Sequence, residues 1–184
     1  MFLLSSYSTS KRKAHDKILQ TAKIGSVVLC PGIIHGAYEH KKSSRAHLET
    51  ILSGKVRWVP GSKGAFVALD TVGQAIIIAC TADQFEKGVH VRLINDVCLS
   101  YVEYFQLYRD CAAKEKVVLH AVPKCFVYPV ALLYALARIF GFKALKLRKA
   151  VQAFLSYDFK TDRSFDEGKA TLKQGITESF LKRG

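Results

Sequence analysis

The amino-acid sequence predicts an α/β fold built around a parallel sheet. Residues 9–22 are polar and basic, with apolar side chains at the spacing of an amphipathic helix. A short apolar run over 24–30 follows, and Pro31-Gly32 ends it. Such a run suits a strand that is buried on both faces of a parallel sheet. A helix that leads straight into a buried strand is the repeating unit of α/β proteins.

The middle of the chain continues this alternation. We predict, in order, a loop over 32–44, a helix over 46–53, a strand over 65–70, a buried helix over 71–82 and a strand over 88–95. Ser100 is a good N-cap residue, and Glu103 completes a capping box for a helix over 101–114. Near Lys114 the alternation ends and a helical, basic tail begins, with a strongly apolar helix predicted over 130–142.

Composition limits the classes of protein and partner. Hydrophobic residues make up 49% of the chain and charged residues 23%, which excludes an intrinsically disordered protein. The net charge is +13, so the surface favours anionic partners such as phosphorylated cofactors and acidic membranes. The basic residues form scattered clusters without a nucleic-acid-binding motif, and we therefore do not expect nucleic acid as a partner.

The five cysteines are widely spaced and lie mostly in apolar runs. We interpret them as buried thiols in a reducing compartment. Neither a C-x-x-C motif nor a Cys/His cluster is present, so we expect no metal site. In the N-terminal sequence the positive charges follow the apolar residues, which is the reverse of a secretory signal. We therefore expect a cytoplasmic or other intracellular protein, with membrane association left open.

The stretch Cys125–Phe142 is apolar except for Arg138, and four basic residues follow it within 143–149. Three interpretations remain open. The stretch is a transmembrane helix near the lower length limit, an interfacial helix on an acidic membrane surface, or a helix buried in the protein.

Tyr7 and Lys11 stand four residues apart in Y-S-T-S-K, at the front of the first predicted helix. Positions i and i+4 of a helix lie one above the other, so the ammonium group can approach the phenol. A phenol with an ordinary pKa of about 10 is a poor base at neutral pH, but a neighbouring cation lowers that pKa. Such a phenol can exchange a proton with a substrate hydroxyl or carbonyl. The alternative is an exposed tyrosine and a solvated lysine.

Three motifs follow one another in order: Y-S-T-S-K at 7–11, L-C-P-G-I-I-H-G at 29–36 and F-V-A-L-D-T-V-G at 66–73. With the strand G-V-H-V-R-L-I-N they resemble the second half of an extended short-chain dehydrogenase/reductase. That family includes nucleotide-sugar epimerases, dehydratases and 3β-hydroxysteroid dehydrogenase-like enzymes. The second motif departs from the family's Arg-Pro-Gly-x-x-Tyr-Gly pattern, with Cys30 in place of Arg and His35 in place of Tyr.

The resemblance implies a more specific fold. The expected architecture is the C-terminal half of a Rossmann-type parallel sheet with a helical substrate-side tail. Residues 1–113 would form a partial NAD(P)-binding domain that begins at the Tyr-x-x-x-Lys helix. Residues 114–184 would form a helical tail that binds substrate or associates with a membrane.

The resemblance also implies an activity, that of an NAD(P)-dependent oxidoreductase or epimerase with NAD or NADP as cofactor. Its small-molecule substrate would be a nucleotide sugar, a sterol or another hydroxy or keto compound. Tyr7 and Lys11 would be catalytic, and Lys11 would also hold the cofactor ribose. Pro31 and Gly32 would lie beside the nicotinamide. The substrate-binding residues would be Ile34 and His35, although a loop histidine is more often structural.

One signature of a dinucleotide-binding fold is absent from the sequence. No G-x-G-x-x-G turn occurs, although this turn normally binds the pyrophosphate. We therefore expect a truncated protein whose sheet has an uncovered edge, completed by homo-oligomerisation or by a separate N-terminal half. The alternative is a non-catalytic truncated remnant or a membrane-associated binding module with the same fold.

Overall fold

The computed structural model describes residues 6–21, 25–37, 49–81, 88–115, 117–140 and 164–181. Within these ranges the longer α-helices are Ser6–Thr21 (α1), Leu69–Thr81 (α2), Tyr101–Cys111 (α3), Val127–Ile139 (α4) and Phe165–Leu181 (α5). The strands are Ser26–Pro31 (β1), Ile33–His35 (β2), Trp58–Pro60 (β3), Lys63–Ala68 (β4), Val89–Ile94 (β5), Val97–Ser100 (β6) and His120–Val122 (β7). Residues 49–52 form a short helical turn, and a 3₁₀ turn, Lys124–Phe126, precedes α4.

The described strands form three small sheets. β1 pairs with β5 in parallel, and β3 pairs with β7 in parallel. In the third sheet β4 is central, parallel to β2 and antiparallel to β6. Each sheet contains a parallel pair, and parallel strands need a long connection that is usually helical. This arrangement confirms the predicted α/β class with parallel strands.

The two buried cores lie on opposite sides of β4. Phe66 belongs to the larger cluster, which includes Tyr104, whereas Val67 belongs to a smaller cluster with Val72 and Ile94. Successive side chains of a strand point to opposite faces, which explains why neighbouring residues enter different cores. Phe66 and Val67 are both 0% exposed, so both faces of β4 are covered.

Helix α5 covers the larger core and lies close to the sheet. Leu172 and Ile176, one turn apart on this helix, are fully buried in the larger cluster. Gly168 stands one turn before Leu172, and a Cβ added there would overlap the backbone oxygen of Asp96. Glycine therefore allows the helix to approach the corner between β5 and β6 this closely.

Asp96 is a buried residue, 0% exposed, at the corner between β5 and β6. Its Oδ2 accepts a hydrogen bond from the backbone N–H of Ala68 at 2.6 Å, and its Oδ1 accepts one from the hydroxyl of Thr71 at 2.9 Å. Ala68 and Thr71 flank the start of α2, where the positive end of the helix dipole stabilises a negative charge. The Asp96 side chain therefore connects the β5–β6 corner to the start of α2.

Arg109 connects α3 to the helical turn at 49–52. Its guanidinium donates hydrogen bonds to the backbone oxygens of Ile51 and Leu52, at 3.0 and 2.9 Å. Its Nε donates to the backbone oxygen of Glu115 at 2.9 Å. The last carbonyls of a helical segment lack partners within the segment, and a cation at this end is favourable. Arg109 thus joins the end of the turn at 49–52 to the segment that follows α3.

The start of α3 carries the capping box that the sequence predicts, and this prediction is confirmed. The Glu103 N–H donates to Ser100 Oγ at 3.2 Å, and the Ser100 N–H donates to Glu103 Oε2 at 2.8 Å. The hydrogen bonds from Ser100, together with the charges of Lys169 and Lys63, hold the pKa of Glu103 below its ordinary value of 4.5. Partial burial opposes this shift.

Two element predictions are wrong because tertiary pairing decides the local structure. The loop predicted over 32–44 contains β2, whose residues Ile33–His35 pair with β4. The tail after Lys114 contains β7, which pairs with β3. The strand predicted over 88–95 is confirmed as β5. Isolated triplets such as β2, β3 and β7 carry too little pattern to be recognised without their partners.

The burial predicted for β1 and for the helix after β4 is also wrong. Val27 and Val28 in β1 are half-buried, and α2 exposes Ile76, Ile77 and Ile78 at 48%, 62% and 66%. Among the described strands β1 pairs with β5 alone, and α2 packs on both of them. A two-stranded sheet with one described helix on it covers its apolar residues only in part.

The cysteines are not the buried thiols that the sequence predicts. Cys80 and Cys125 are exposed, and Cys30, Cys98 and Cys111 are half-buried. The apolar run that holds Cys80 forms the partly exposed helix α2, which explains the exposure of this thiol. None of the five, which all lie in the described ranges, forms a disulfide bond.

The described part of the predicted tail contains α4 and α5. α4 begins at Val127, three residues before the predicted start. None of the helices in the described ranges combines the length and the apolar character needed to cross a membrane. α5 packs against β4 and α3 of the preceding part. The boundary between 1–113 and 114–184 stays a prediction.

Replacing Ser100 removes the cap of α3. We expect Ser100→Ala to lower the free energy of unfolding by about 1 kcal/mol at neutral pH. Because folding lowers the pKa of Glu103, its stabilising contribution is complete above the ordinary value of 4.5 and is lost as the pH falls through the lowered value. The difference between wild type and variant should therefore shrink in acid. Urea unfolding followed by circular dichroism at several pH values measures it.

Glu103→Gln is the matched variant for this measurement, since it can still accept a hydrogen bond but carries no charge. It should retain part of the cap and lose the acid dependence. If the Ser100→Ala deficit stays constant while the pH falls well below 4.5 and through the lowered pKa of Glu103, the charged capping box does not stabilise α3.

Asp96→Asn tests the connection between the β5–β6 corner and α2. An amide has only one acceptor oxygen, so one of the two donors at Ala68 and Thr71 loses its partner. We expect a loss of about 1–3 kcal/mol in the free energy of unfolding. Asp110→Asn makes the same chemical change at an exposed position and should cost under about 0.5 kcal/mol. Equal losses in the two variants would refute the role assigned to Asp96.

Candidate functional site

The predicted catalytic pair lies on α1, the helix that precedes β1. Tyr7 and Lys11 occupy positions one helical turn apart in Ser6–Thr21, as the spacing requires. The Lys11 side chain is exposed. The side chain of Tyr7 lies outside the described part of the molecule, so the contact between the phenol and the ammonium stays a prediction.

Pro31 and Gly32 lie at the carboxyl end of β1. Pro31 stands opposite Ile94, the last residue of β5, so the two parallel strands end side by side. The Gly32 N–H donates a hydrogen bond to the Ile94 backbone oxygen at 3.0 Å. In open α/β sheets ligands bind at the carboxyl ends of parallel strands, which makes this edge the natural place for a ligand.

Gly32 is required by a close approach of two backbones. A Cβ built at this position would lie 2.5 Å from the backbone oxygen of Ala65 in β4. The backbone at Gly32 therefore lies very close to β4 as the chain passes from β1 to β2, and any larger residue would push the two segments apart. The adjacent Pro31 is exposed to solvent.

Ile33 and Ile34 follow at the same edge and are 45% and 40% exposed. Two accessible apolar side chains next to an exposed proline can contact the flat face of an aromatic ring or the apolar part of a substrate. The exposure of Ile34 leaves it accessible to a substrate, and its predicted contact with one stays a prediction.

His35 occupies a different environment from Ile34. It is 3% exposed and lies in strand β2, not in a loop. The Tyr104 hydroxyl lies 3.3 Å from its Nε2, and its ring stacks against Phe66 and packs against Tyr108. This geometry favours a structural role in the aromatic core. Its predicted contact with a substrate stays a prediction, and would require Tyr104 or its neighbours to move.

A cavity of about 240 Å³ lies beyond the carboxyl ends of β2 and β4, at the start of α2 and against α5. Its polar lining includes two carboxylates, two carboxamides and two hydroxyl groups: Asp70, Glu178, Gln74, Gln174, Thr71 and Thr171. Gln174 Nε2 donates to Glu178 Oε1 at 3.1 Å. This lining can accept hydrogen bonds from a small hydroxylated or amino compound. Pro31, Gly32 and Ile34 are not among the described residues that line it.

The sequence predictions do not include the residues that position this edge. Asp96 holds the start of α2, and Tyr104 contacts His35, yet neither belongs to a predicted motif. Asp96 had one local signal, since a polar pair, Asn95-Asp96, follows an apolar strand directly. The cavity gave no such signal because its lining comes from α2 and α5, which are distant in the sequence.

Comparisons with known proteins find matches among solved structures. No family model matches the chain, and a search of curated proteins finds no match. The protein gox2253 matches with a TM-score of 0.69 at 16% identity, over 97% of this chain and 56% of that one. A nucleoside-diphosphate-sugar epimerase from Pseudomonas aeruginosa matches with a TM-score of 0.60 at 15% identity, over 98% and 57% of the two chains.

A third match is the dTDP-glucose 4,6-dehydratase from Bacillus anthracis, solved in complex with NAD. Its TM-score is 0.53 at 16% identity, over 97% of this chain and 52% of the dehydratase. The chain thus spans about half the length of these proteins, and sequence identities at this level establish the fold alone. The chain has the Rossmann-type α/β fold of this epimerase and this dehydratase, over about half of their length.

Proposed function

We propose that this chain is part of an NAD(P)-dependent oxidoreductase or epimerase of the short-chain dehydrogenase/reductase type. One observation carries the proposal. A helix with Tyr7 and Lys11 one turn apart leads into a parallel strand that ends at Pro31-Gly32, in a chain with the fold of epimerases and dehydratases. The Tyr-x-x-x-Lys helix comes before the Pro-Gly strand, which is the order of motifs that the resemblance to this family implies.

The residues at the edge of β1 fit one end of a dinucleotide. Pro31, Ile33 and Ile34 offer accessible apolar surface for a nicotinamide ring, and the exposed Lys11 offers an ammonium group for ribose hydroxyls. The sequence has no Gly-rich turn for the pyrophosphate. We assign pyrophosphate binding to polypeptide beyond these 184 residues, since the matched structures are almost twice as long.

The proposed chemistry divides between the cofactor and two side chains of this chain. NAD or NADP, when bound, accepts or supplies the hydride. The Tyr7 phenolate takes the proton from a substrate hydroxyl while the hydride leaves, and in the reverse direction the Tyr7 phenol returns that proton to the carbonyl oxygen. The Lys11 ammonium favours the phenolate form and so brings the pKa of the phenol closer to the working pH.

A nucleotide sugar is the substrate class that we favour. The matched proteins include a nucleoside-diphosphate-sugar epimerase and a dTDP-glucose dehydratase, both of which act on such compounds by name. The net charge of +13 would favour a diphosphate group. A sterol or another hydroxy or keto compound is the alternative, and the exposed Ile33 and Ile34 suit an apolar ring system.

A second candidate function is that of a non-catalytic module with the same fold. The missing Gly-rich turn favours it, because the remaining residues would hold only one end of a dinucleotide. The exposed Ile77, Ile78 and Leu93 on α2 and β5 also suit a surface that a second copy or an N-terminal half covers. Under this reading the chain binds a partner and performs no turnover.

Titration of the purified chain with NADH, followed by fluorescence, tests the proposal. We expect binding in the micromolar range, weakened about tenfold by Lys11→Met because a charged hydrogen bond is lost. Lys17→Met, also exposed on α1, is the control and should bind like the wild type. An absence of NADH binding at high micromolar concentration would leave the non-catalytic candidate.

Tyr7→Phe separates proton transfer from binding. With UDP-glucose and NAD as probes, and with the polypeptide that binds the pyrophosphate present, the variant should bind NADH within about twofold of the wild type and lose turnover by about 10²–10⁴-fold. Chromatography of the sugar products measures the turnover. Turnover that survives in Tyr7→Phe would exclude the phenol as the proton-transferring group.

A further inference from the structure

The cavity between α2 and α5 has a lining that includes no described residue of the Pro31-Gly32 edge. It lies beyond the carboxyl ends of β2 and β4, and its volume is about 240 Å³. Pockets that hold drug-sized ligands measure roughly 300–1,000 Å³, so this cavity suits a smaller compound. Ligands of open α/β sheets bind at the carboxyl ends of parallel strands, and β2 and β4 form a parallel pair.

Helix α5 forms one wall of the cavity. Its lining residues have the spacing of neighbours on one helical face: Thr171, Gln174, Gly175 and Glu178. The orientation of this face is fixed, because Leu172 and Ile176 on the same helix are fully buried in the larger core. At Gly175 the helix lies against the strand ends, since a Cβ built there would be 3.0 Å from the His35 backbone oxygen. The wall is therefore firmly packed on the sheet.

The charge of the cavity is opposite to that of the whole chain. Its described lining contains the carboxylates of Asp70 and Glu178 and no lysine or arginine, although the chain has 28 lysine and arginine residues and a net charge of +13. In the described ranges the Asp70 carboxylate forms no ion pair and accepts no hydrogen bond, and Glu178 accepts one from Gln174 at 3.1 Å. The cavity therefore repels phosphate and carboxylate groups and attracts a cation.

The neutral side chains of the lining both donate and accept hydrogen bonds. The carboxamides of Gln74 and Gln174 have N–H donors and an acceptor oxygen, and both side chains are exposed and accessible to a ligand. The Thr171 hydroxyl donates to the Glu167 backbone oxygen at 3.0 Å, and its lone pairs can still accept. Hydroxyl groups of a ligand match this mixed lining, because each of them also donates and accepts.

From these observations we propose that the cavity binds a small hydroxyl-rich compound that carries an ammonium group. The carboxylates of Asp70 and Glu178, one on each helix, attract the ammonium group. The carboxamides of Gln74 and Gln174, also one on each helix, bind the hydroxyl groups. A bound ligand would therefore join α5 to the start of α2. The proposal does not rest on the oxidoreductase activity, because it uses no residue of α1 or β1.

Titration of the ¹⁵N-labelled full chain with three related sugars, followed by NMR, tests the proposal. Glucosamine is the probe, at about pH 6.5, where an amino group is protonated. It should shift the amide signals of Gly36 and Gly175, which line the cavity, and leave unchanged that of Gly88, which does not line it. A ligand of about twelve non-hydrogen atoms should bind in the millimolar range.

The other two sugars test the charge of the ligand. Glucose has a hydroxyl in place of the ammonium group and should bind about tenfold more weakly, because a hydrogen bond from a charged donor is the stronger one. Glucose 6-phosphate adds a negative charge and should leave the signals of Gly36 and Gly175 unchanged. Binding of glucosamine should also weaken as the salt concentration rises.

Three variants test the residues. Gln174→Arg places a cation in the wall of the cavity at an exposed position and should weaken glucosamine binding at least about tenfold. Asp70→Asn with Glu178→Gln keeps hydrogen-bonding groups but removes both charges, so glucosamine should bind no more tightly than glucose. Asp166→Asn, on the exposed first turn of α5, is the control and should bind like the wild type. Circular dichroism of every variant verifies that the helices persist.

Four outcomes would overturn the proposal. The first is an absence of shifts at Gly36 and Gly175 with glucosamine up to about 100 mM. The second is binding of glucose 6-phosphate at these glycines as tightly as glucosamine, since the cavity would then not select a cation. The third is a Gln174→Arg variant that keeps its helices and the affinity of the wild type. The fourth is an unchanged preference for glucosamine over glucose in the Asp70→Asn, Glu178→Gln double variant.

Discussion

The carboxylate of Asp96 joins parts of the molecule that the strand pairing alone does not connect. β1 and β5 form one sheet, β2, β4 and β6 form another, and the corner that leads from β5 to β6 passes between them. At this corner Asp96 accepts hydrogen bonds from Ala68 and Thr71 and donates its own N–H to the Phe66 oxygen. A buried carboxylate is expensive unless its lone pairs are satisfied, and the start of α2 satisfies them here.

The candidate site depends on this connection through Ile94. Ile94 stands two residues before Asp96, and its oxygen accepts the hydrogen bond of Gly32 at the end of β1. The same few residues therefore hold the start of α2 and the Pro31-Gly32 edge in place. Gly168 allows α5 to pack closely against the β5–β6 corner, and α5 also lines the cavity together with α2. Packing around one buried charge thus positions both the strand edge and the cavity.

Sequence patterns predict the elements whose contacts lie within a few residues of each other. The capping box can be predicted from the three-residue spacing of Ser100 and Glu103 alone. The strand β5 can be predicted from its own alternation of apolar and polar residues. The sequence cannot reveal which apolar residues have no helix or strand packed over them. It therefore predicts burial for Ile77 and Cys80, which are exposed. His35 was assigned to a loop because its strand consists of three residues and forms only against β4. The Tyr7 and Lys11 spacing is local as well, but which segments lie opposite this pair depends on tertiary structure.

The parallel pairs have a consequence for how the chain folds. Ser26 pairs with Val89 and Trp58 pairs with His120, so each of these two pairs joins segments roughly sixty residues apart. Such non-local contacts slow folding, because the chain loses the entropy of closing a long loop before the contacts stabilise it. The β4–β6 pair and the α3 cap involve shorter separations and can form earlier. During synthesis on a ribosome β1 must wait, with its backbone unpaired by β5, until the roughly sixty residues that lead to β5 have emerged. This interval is when the apolar strand is most open to capture by another polypeptide or by a chaperone.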